Sequence, residues 1–243
     1  SNFIIPTLKH KISAINMLNF LKKQINLKFR FLHKYFANTA FNLLDVGAGN
    51  NSASRTKALF PNCKYYGLDI SKSYSNSETD FNKMEKFYEL DLTLLDYSAI
   101  PNNFFDAIMM AHVIEHLHNG EEVLPLLVKK LKPGGYFYIE YPGKKSTTLP
   151  SMYGTLNFKD DPTHVRLYSV NELKKVFEKN NCTVLACGIR RNYYYILAMP
   201  FRVIYSFIKT GKVTGNIFWD ILGFAEYLKV KRNMQEQTNE PGI

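Results

Sequence analysis

Apolar residues recur at helical intervals through residues 8–36, at Ile12, Ile15, Leu18, Leu21, Ile25, Phe29 and Leu32, with lysines on the opposite face. That spacing predicts one or two amphipathic helices. The period then changes. Residues 41–46 (FNLLDV) make a short apolar run that stops at Gly47-Ala48-Gly49, as a buried strand does before a tight turn. Runs at 64–69, 87–92, 104–112 (FFDAIMMAH) and 136–141 (YFYIEY) predict further strands, with helices between them at 52–60, 80–86 and 114–131. Pro133-Gly134-Gly135 is placed to stop the last of these helices and to cap it through glycine. Ser169 and Glu172 have the spacing of a capping box, opening a helix to residue 179 ahead of a strand at 183–189. Such alternation predicts an α/β fold: a doubly wound, mostly parallel sheet with helices on both faces. After residue 190 the alternation breaks. Residues 193–208 and 218–224 read as aromatic-rich helices, and 225–232 (AEYLKVKR) alternates with period two, as a closing edge strand does.

The 243 residues, 46% hydrophobic and 14% aromatic, exclude disorder for most of the chain and suit one substantial core. The expected organisation is a basic helical extension at 1–38, one domain at 39–232 carrying a helical insertion at 191–224, and a polar tail at 233–243. Cys63, Cys182 and Cys187 form no CxxC pair, which argues against a disulfide framework or a structural zinc and for a reducing cytosol. The net charge of +10 is uneven: residues 1–38 carry seven Lys or Arg and no acid, while residues 39–189 are nearly balanced. Basic flanks suit an anionic partner, whether phosphorylated substrate, lipid headgroup or nucleic acid, or are simply solvated lysines. Nucleic acid ranks below a small molecule, because no RNA-binding module or arginine-rich arm is visible. Residues 193–208 hold thirteen apolar residues of sixteen, but the run is too short to cross ~30 Å of hydrocarbon, and Pro200 and Arg202 interrupt it. The expectation is a cytoplasmic protein, with peripheral contact at the inner membrane face as an option.

Open α/β sheets bind ligands at the carboxyl ends of their strands. The first such end reads Asp45-Val46-Gly47-Ala48-Gly49. An acid before the glycines sits badly beside a pyrophosphate but favours an ammonium or sulfonium charge, and the third glycine of the dinucleotide fingerprint is absent. Asp69 ends the second strand, where it can accept both hydroxyls of a ribose, and Asp91 ends the third, where it can hold an exocyclic amine. The other reading of each acid is a cap on the following turn.

LLDVGAGN, YYGLDIS, ELDL, FDAIMMAHVIEHL and LKPGGYFYIEYP, in this order, resemble class I S-adenosylmethionine-dependent methyltransferases over residues 40–190 and 225–232. The resemblance implies a seven-stranded sheet with an antiparallel last strand, and S-adenosylmethionine as cofactor with S-adenosylhomocysteine as product. It implies that Gly47, Ala48 and Gly49 admit the methionine part, that Asp45 anchors that region, and that Asp69 and Ile70 face the ribose. Asp91 and Leu92 would flank the adenine, and Ala111 and His112 would lie near the methyl. Asn50-Asn51 departs from the family, many members of which have a further glycine here.

Methyl transfer to a hydroxyl needs the acceptor positioned and its proton removed, work suited to histidine. His164, in a stretch that resembles the acceptor-facing segment of many class I members, is the leading base. His112 and His116 are further catalytic candidates, Arg166 is expected to hold a substrate anion or to brace the loop, Tyr168 is a candidate substrate contact, and His118 is expected in solvent. A metal-free site is expected. The alternative set His112, Glu115, His116 and His164 resembles the metal ligands of small-RNA 2′-O-methyltransferases and ubiquinone-pathway O-methyltransferases, with His112 in place of a glutamate. HVRLYS and FWDILGFAEYL resemble bacterial surface-glycan and secondary-metabolite methyltransferases. The function read from the sequence is therefore O-methylation of a small polar metabolite, sugar or glycan precursor. Alternatives are C- or N-methylation, RNA 2′-O-methylation, or a non-catalytic cofactor-binding module. Residues 191–224 have three candidate uses: a lid, a homodimer interface or a membrane contact.

Overall fold

The computed structural model describes residues 26–72 and 76–234. The helical periodicity before residue 26 and the tail beyond 234 lie outside the described residues.

α1 (Leu27–Phe36) starts at Asn26, whose side chain accepts the Lys28 amide at 3.1 Å, and it buries Phe29, Phe31 and Leu32. Seven strands follow: β1 (Phe41–Val46), β2 (Cys63–Asp69), β3 (Lys86–Glu89), β4 (Phe105–Ala111), β5 (Leu131–Pro142), β6 (Cys182–Ile189) and β7 (Ala225–Arg232). Their order is β3-β2-β1-β4-β5-β7-β6. β1 to β5 pair in parallel, and β7 runs antiparallel to both β5 and β6. The seven-stranded, mostly parallel sheet is as expected, but the strand expected at an edge, β7, lies inside it between β5 and β6.

On one face α1 and α2 (Ser52–Leu59) pack with Leu43, Tyr65, Ala107 and Tyr138. On the other, α4 (Gly120–Lys130) and α5 (Val170–Lys179) bury Val123, Leu124, Leu127, Leu173 and Phe177 against Ile108, Met110, Phe137 and Ile139. Both faces being covered explains why β1, β4 and β5 read as continuous apolar runs. The strand order reverses between β1 and β4, which opens a crevice above their carboxyl ends.

Four local expectations need correction. The segment 114–131 is not one helix: a 3₁₀ turn at Ile114–His116 is followed by a break before α4. The Tyr168 hydroxyl occupies that break, donating to Leu117 O at 2.6 Å and accepting from Gly120 N at 2.9 Å, a tertiary contact no local spacing announces. Gly134 does not cap the helix. α4 ends at Lys130, and Gly134 at φ +79° lies within the irregular start of β5, where pairing with β4 jumps between Phe105 and Ala107. The helix expected at 80–86 is only the turn α3 (Glu78–Phe81), and β3 stops at Glu89. At α5, Ser169 accepts the Glu172 amide at 3.2 Å, but the Glu172 carboxylate turns to Arg166, so half the capping box forms.

The insertion between β6 and β7 comprises α6 (Tyr193–Leu197), α7 (Met199–Thr210) and α8 (Trp219–Leu222). Pro200, at the start of α7, divides what the hydrophobic pattern joined.

Candidate active site

The crevice is walled on the β1 side by the glycine turn. Gly47 has φ +78°, and a Cβ there would fall 2.3 Å from Val113 Cγ2, so only glycine lets the turn after β1 pass the turn after β4. Asn50 and Asn51 take the left-handed conformation, at φ 56° and 53°, in place of the family's further glycine, a conformation asparagine tolerates better than most residues. Asn76 donates to Ala48 O at 2.8 Å and holds the turn from the side. Ala48 and Gly49 are buried. Asp45 sits beneath, its Oδ2 accepting the Ser52 hydroxyl at 2.5 Å and the Tyr65 hydroxyl at 2.6 Å. Burial and the Asp45 carboxylate push the Tyr65 phenol well above its ordinary range, so that hydroxyl remains a donor.

Asp69 stands half-buried at the end of β2, with Oδ1 on the Ile70 amide at 2.7 Å, and the neighbouring Ile70 side chain is exposed. Burial raises its pKa. Asp91 lies two residues past β3 and caps the 3₁₀ turn Leu92–Leu94, with Oδ1 accepting from the Thr93 amide and hydroxyl. Leu92, in that turn, packs into the core. No Lys or Arg pairs with Asp45, Asp69 or Asp91 among the described residues, a donor set that suits a cationic sulfur nucleoside better than a diphosphate.

Ala111 ends β4 and His112 follows it at φ +56°. The His112 ring lies between two carboxylates, with Nε2 3.1 Å from Glu140 and Nδ1 3.3 Å from Glu115. Burial opposes its protonation, but the two acids outweigh it and raise its pKa to about 9. At neutral pH the ring is therefore a cation without a free lone pair, and the base or metal-ligand role expected of His112 is corrected. Glu140 also accepts the Tyr138 hydroxyl at 2.5 Å and faces Arg190 Nε at 3.1 Å. Burial would raise its pKa, yet Arg190 and His112 hold it at about 2. Arg190 reaches on to Asp220 at 3.3 Å. Trp219 leans on the His112 ring at 4.9 Å and donates to Thr155 O at 2.6 Å, so the insertion closes over this corner. Sequence reasoning missed Glu140, Arg190 and Asp220. The available signal was a carboxylate inside an apolar strand, YFYIEYP.

Glu115 is buried, with Oε1 3.3 Å from His112 Nδ1 and 4.0 Å from His164 Nε2. Its carbonyl receives the Val165 and Arg166 amides at 2.9 and 3.2 Å, which fastens the loop bearing His164 over the turn bearing His116. Glu115, His116 and His164 thereby bring one donor atom each within 4.8 Å of one another. The Nδ1–H of His164 donates to Phe158 O at 2.7 Å, and that of His116 to Thr163 O at 3.1 Å, which leaves Nε2 of each as the acceptor. Of the four residues in the sequence-derived metal set, the structure groups these three and sets His112 between Glu115 and Glu140. His118 is exposed, as expected.

Of the two readings of Arg166 the structure shows the brace, and the substrate contact expected of Tyr168 is corrected. Arg166 pairs with Glu121 and with Glu172 at 2.7 Å, and donates to His118 O at 2.7 Å. Tyr168 is buried, with its hydroxyl fully occupied at the helix break. Both residues brace the loop.

A family model described as a methyltransferase domain matches residues 17–186, more than half of the chain. The chain belongs to the S-adenosylmethionine-dependent methyltransferases. The matched domain is of the class I kind, whose cofactor is S-adenosylmethionine. Over 163 residues this methyltransferase is 28% identical to the mitochondrial ubiquinone biosynthesis O-methyltransferase of Dictyostelium discoideum, a match covering 59% of the chain and 50% of that protein. The chain thus spans about half the length of that curated relative. In fold it is similar to a SAM-dependent methyltransferase from Archaeoglobus fulgidus (22% identity, TM-score 0.52, 88% of this chain and 94% of that one). It is also similar to Haemonchus contortus phosphoethanolamine N-methyltransferase 2 in complex with S-adenosyl-L-methionine (16% identity, TM-score 0.59, 84% and 51%). Among the described residues no helix is long and apolar enough to cross a membrane.

Proposed function

We propose that this methyltransferase carries the sulfonium methyl of S-adenosylmethionine to an oxygen of a small polar metabolite, sugar or glycan precursor, and that Glu115, His116 and His164 form the acceptor-side centre and hold a divalent cation. The observation that carries the centre is the grouping: Glu115, His116 and His164 bring one possible ligand atom each within 4.8 Å of one another, and among the described residues the buried Glu115 carboxylate meets only His112 at 3.3 Å and His164 at 4.0 Å. Two imidazoles with Nδ1–H fixed by carbonyls offer Nε2 beside it, and this mixed set suits magnesium, manganese or zinc. When bound, the cation lowers the pKa of an acceptor hydroxyl. On the donor side, Gly47 admits the methionine part, Asp69 accepts the ribose hydroxyls, and Asp91 faces the adenine. The cationic His112, fixed by Glu140 and Glu115, closes the crevice beneath Trp219. Support for oxygen as the acceptor comes from the named activity of the Dictyostelium relative. Support for a glycan precursor is the resemblance carried by HVRLYS and FWDILGFAEYL.

A second reading rests on His164 alone. Its Nδ1–H is held by Phe158, so Nε2 is positioned to take an acceptor proton without metal.

Labelled methyl donor with a panel of sugars, nucleotide sugars and phenols tests the acceptor, and product analysis separates O- from N- or C-methylation. Calorimetry with manganese, comparing the wild type with Glu115→Gln, tests the centre directly. The cation reading expects binding that the substitution abolishes and activity that a chelator removes. Indifference to chelator together with loss of activity in His164→Ala overturns it in favour of the metal-free base. Cofactor binding without turnover on any acceptor returns the chain to a binding module.

A further inference from the structure

The helix α7 is turned inside out. Its apolar stripe, Leu197 at the end of α6 then Phe201, Ile204, Tyr205 and Ile208, follows the i, i+4, i+7, i+8, i+11 spacing of one helical face. In a helix that packs on a core this face is covered; here the five side chains are 57–81% exposed. The side turned to the protein is mixed, with Met199 and Val203 half-buried beside Arg202 and Ser206. Arg202 donates to Ile217 O at 3.3 Å and lies over the Tyr195 ring, and the Ser206 hydroxyl donates to Lys212 O at 2.8 Å. Tyr193, Tyr194 and Phe207 enlarge the exposed apolar surface. Lys209 and Lys212 stand at its carboxyl-terminal end over the rings of Tyr205 and Tyr153, and no acid occurs between Glu178 and Asp220.

From this geometry we infer that α7 docks in the plane of an anionic lipid surface, its apolar stripe entering the headgroup boundary and Lys209 and Lys212 meeting the negative headgroups. Charge decides between occupants. A second copy of this chain, net charge +10, would set one acid-free basic face against another, whereas an anionic bilayer complements it. Tyrosine beside lysine is also the composition of an interfacial anchor, each side chain having an apolar body and a polar end. Twelve residues suffice to lie on the surface and are too few to cross it. Because the surface is independent of the acceptor and of any cation, lipid binding is measured without turnover and stands or falls apart from the proposed reaction.

The test is flotation of the full chain with vesicles of pure phosphatidylcholine or of phosphatidylcholine with phosphatidylglycerol. The wild type is expected to float with the anionic vesicles and to be released by salt. The triple substitution Phe201→Ser, Ile204→Ser, Ile208→Ser weakens partitioning by roughly tenfold or more. Lys209→Glu with Lys212→Glu removes the preference for phosphatidylglycerol. Unchanged thermal unfolding and S-adenosylhomocysteine binding show that each variant is folded. Failure of the wild type to bind anionic vesicles, or equal binding by the triple variant, overturns the inference. So does light scattering that finds a dimer which the triple variant dissociates, because the stripe would then belong to a second copy.

Discussion

Replacing Gly47 with alanine tests the joint that makes the crevice. The backbone there has φ +78°, which costs an alanine about 1–2 kcal/mol. The new Cβ would also lie 2.3 Å from Val113 Cγ2, a contact that forces the turns after β1 and β4 apart at about 1–3 kcal/mol. Gly47→Ala should therefore destabilise the protein by about 2–5 kcal/mol, a large share of the 5–15 kcal/mol typical of a domain. The two contributions separate in a double-mutant cycle with Val113→Ala, which removes the struck methyl but leaves φ unchanged. Urea unfolding followed by circular dichroism should show the double variant less destabilised than the sum of the singles by about 1–3 kcal/mol, with a residual near the backbone value. S-adenosylhomocysteine affinity, read by calorimetry, should fall in Gly47→Ala and recover in part in the double variant. Strict additivity, or a Gly47→Ala protein within about 0.5 kcal/mol of wild type, would refute the steric reasoning.

Tyr168→Phe removes the hydroxyl that bridges Leu117 O and Gly120 N and should lower stability by about 1–3 kcal/mol in the same unfolding assay; an unchanged midpoint would mean the bridge is not made. Asp69→Ala should weaken S-adenosylhomocysteine binding by about tenfold or more while leaving the unfolding midpoint near wild type, and unaltered affinity would remove the ribose role. The loop carrying His164 should loosen in acid. Burial would raise the Asp160 pKa, but the Ser151 hydroxyl and the amides of Asn157, Leu156 and Met152 hold it at about 2. A depressed carboxylate stabilises above its unfolded pKa of about 4 and loses that contribution as the pH falls toward 2. Limited proteolysis of residues 143–168 by pepsin should thus accelerate across this window in the wild type, whereas Asp160→Asn should be cleaved readily throughout; identical profiles would count against the linkage.

The sheet was legible because its strands are buried on both faces and interrupted by glycine, so FNLLDV, FFDAIMMAH and YFYIEY announce themselves through local composition. So were the glycine turn and its acids, since a turn at a strand end places its residues by chain connectivity alone. Asn50 and Asn51 belong to the same class: a residue type that tolerates the left-handed region occupies it. What the sequence could not rank were the histidines. His112, His116 and His164 are chemically alike, and their roles diverge only through partners far away in the chain. Glu140 and Glu115 charge the first, while Thr163 and Phe158 orient the other two. Arg166 and Tyr168 are similar cases, polar residues in a loop whose partners, Glu121, Glu172, Leu117 and Gly120, fix them as braces. The aromatic insertion shows the same division. Its amphipathic period lies in the sequence, but only packing decides which face looks inward, and in α7 the apolar face looks out. Short-range order follows from side-chain shape and backbone preference over a few residues. Protonation, ligation and exposure depend on which groups the fold brings within a few ångströms, and that distance is not a local property of the chain.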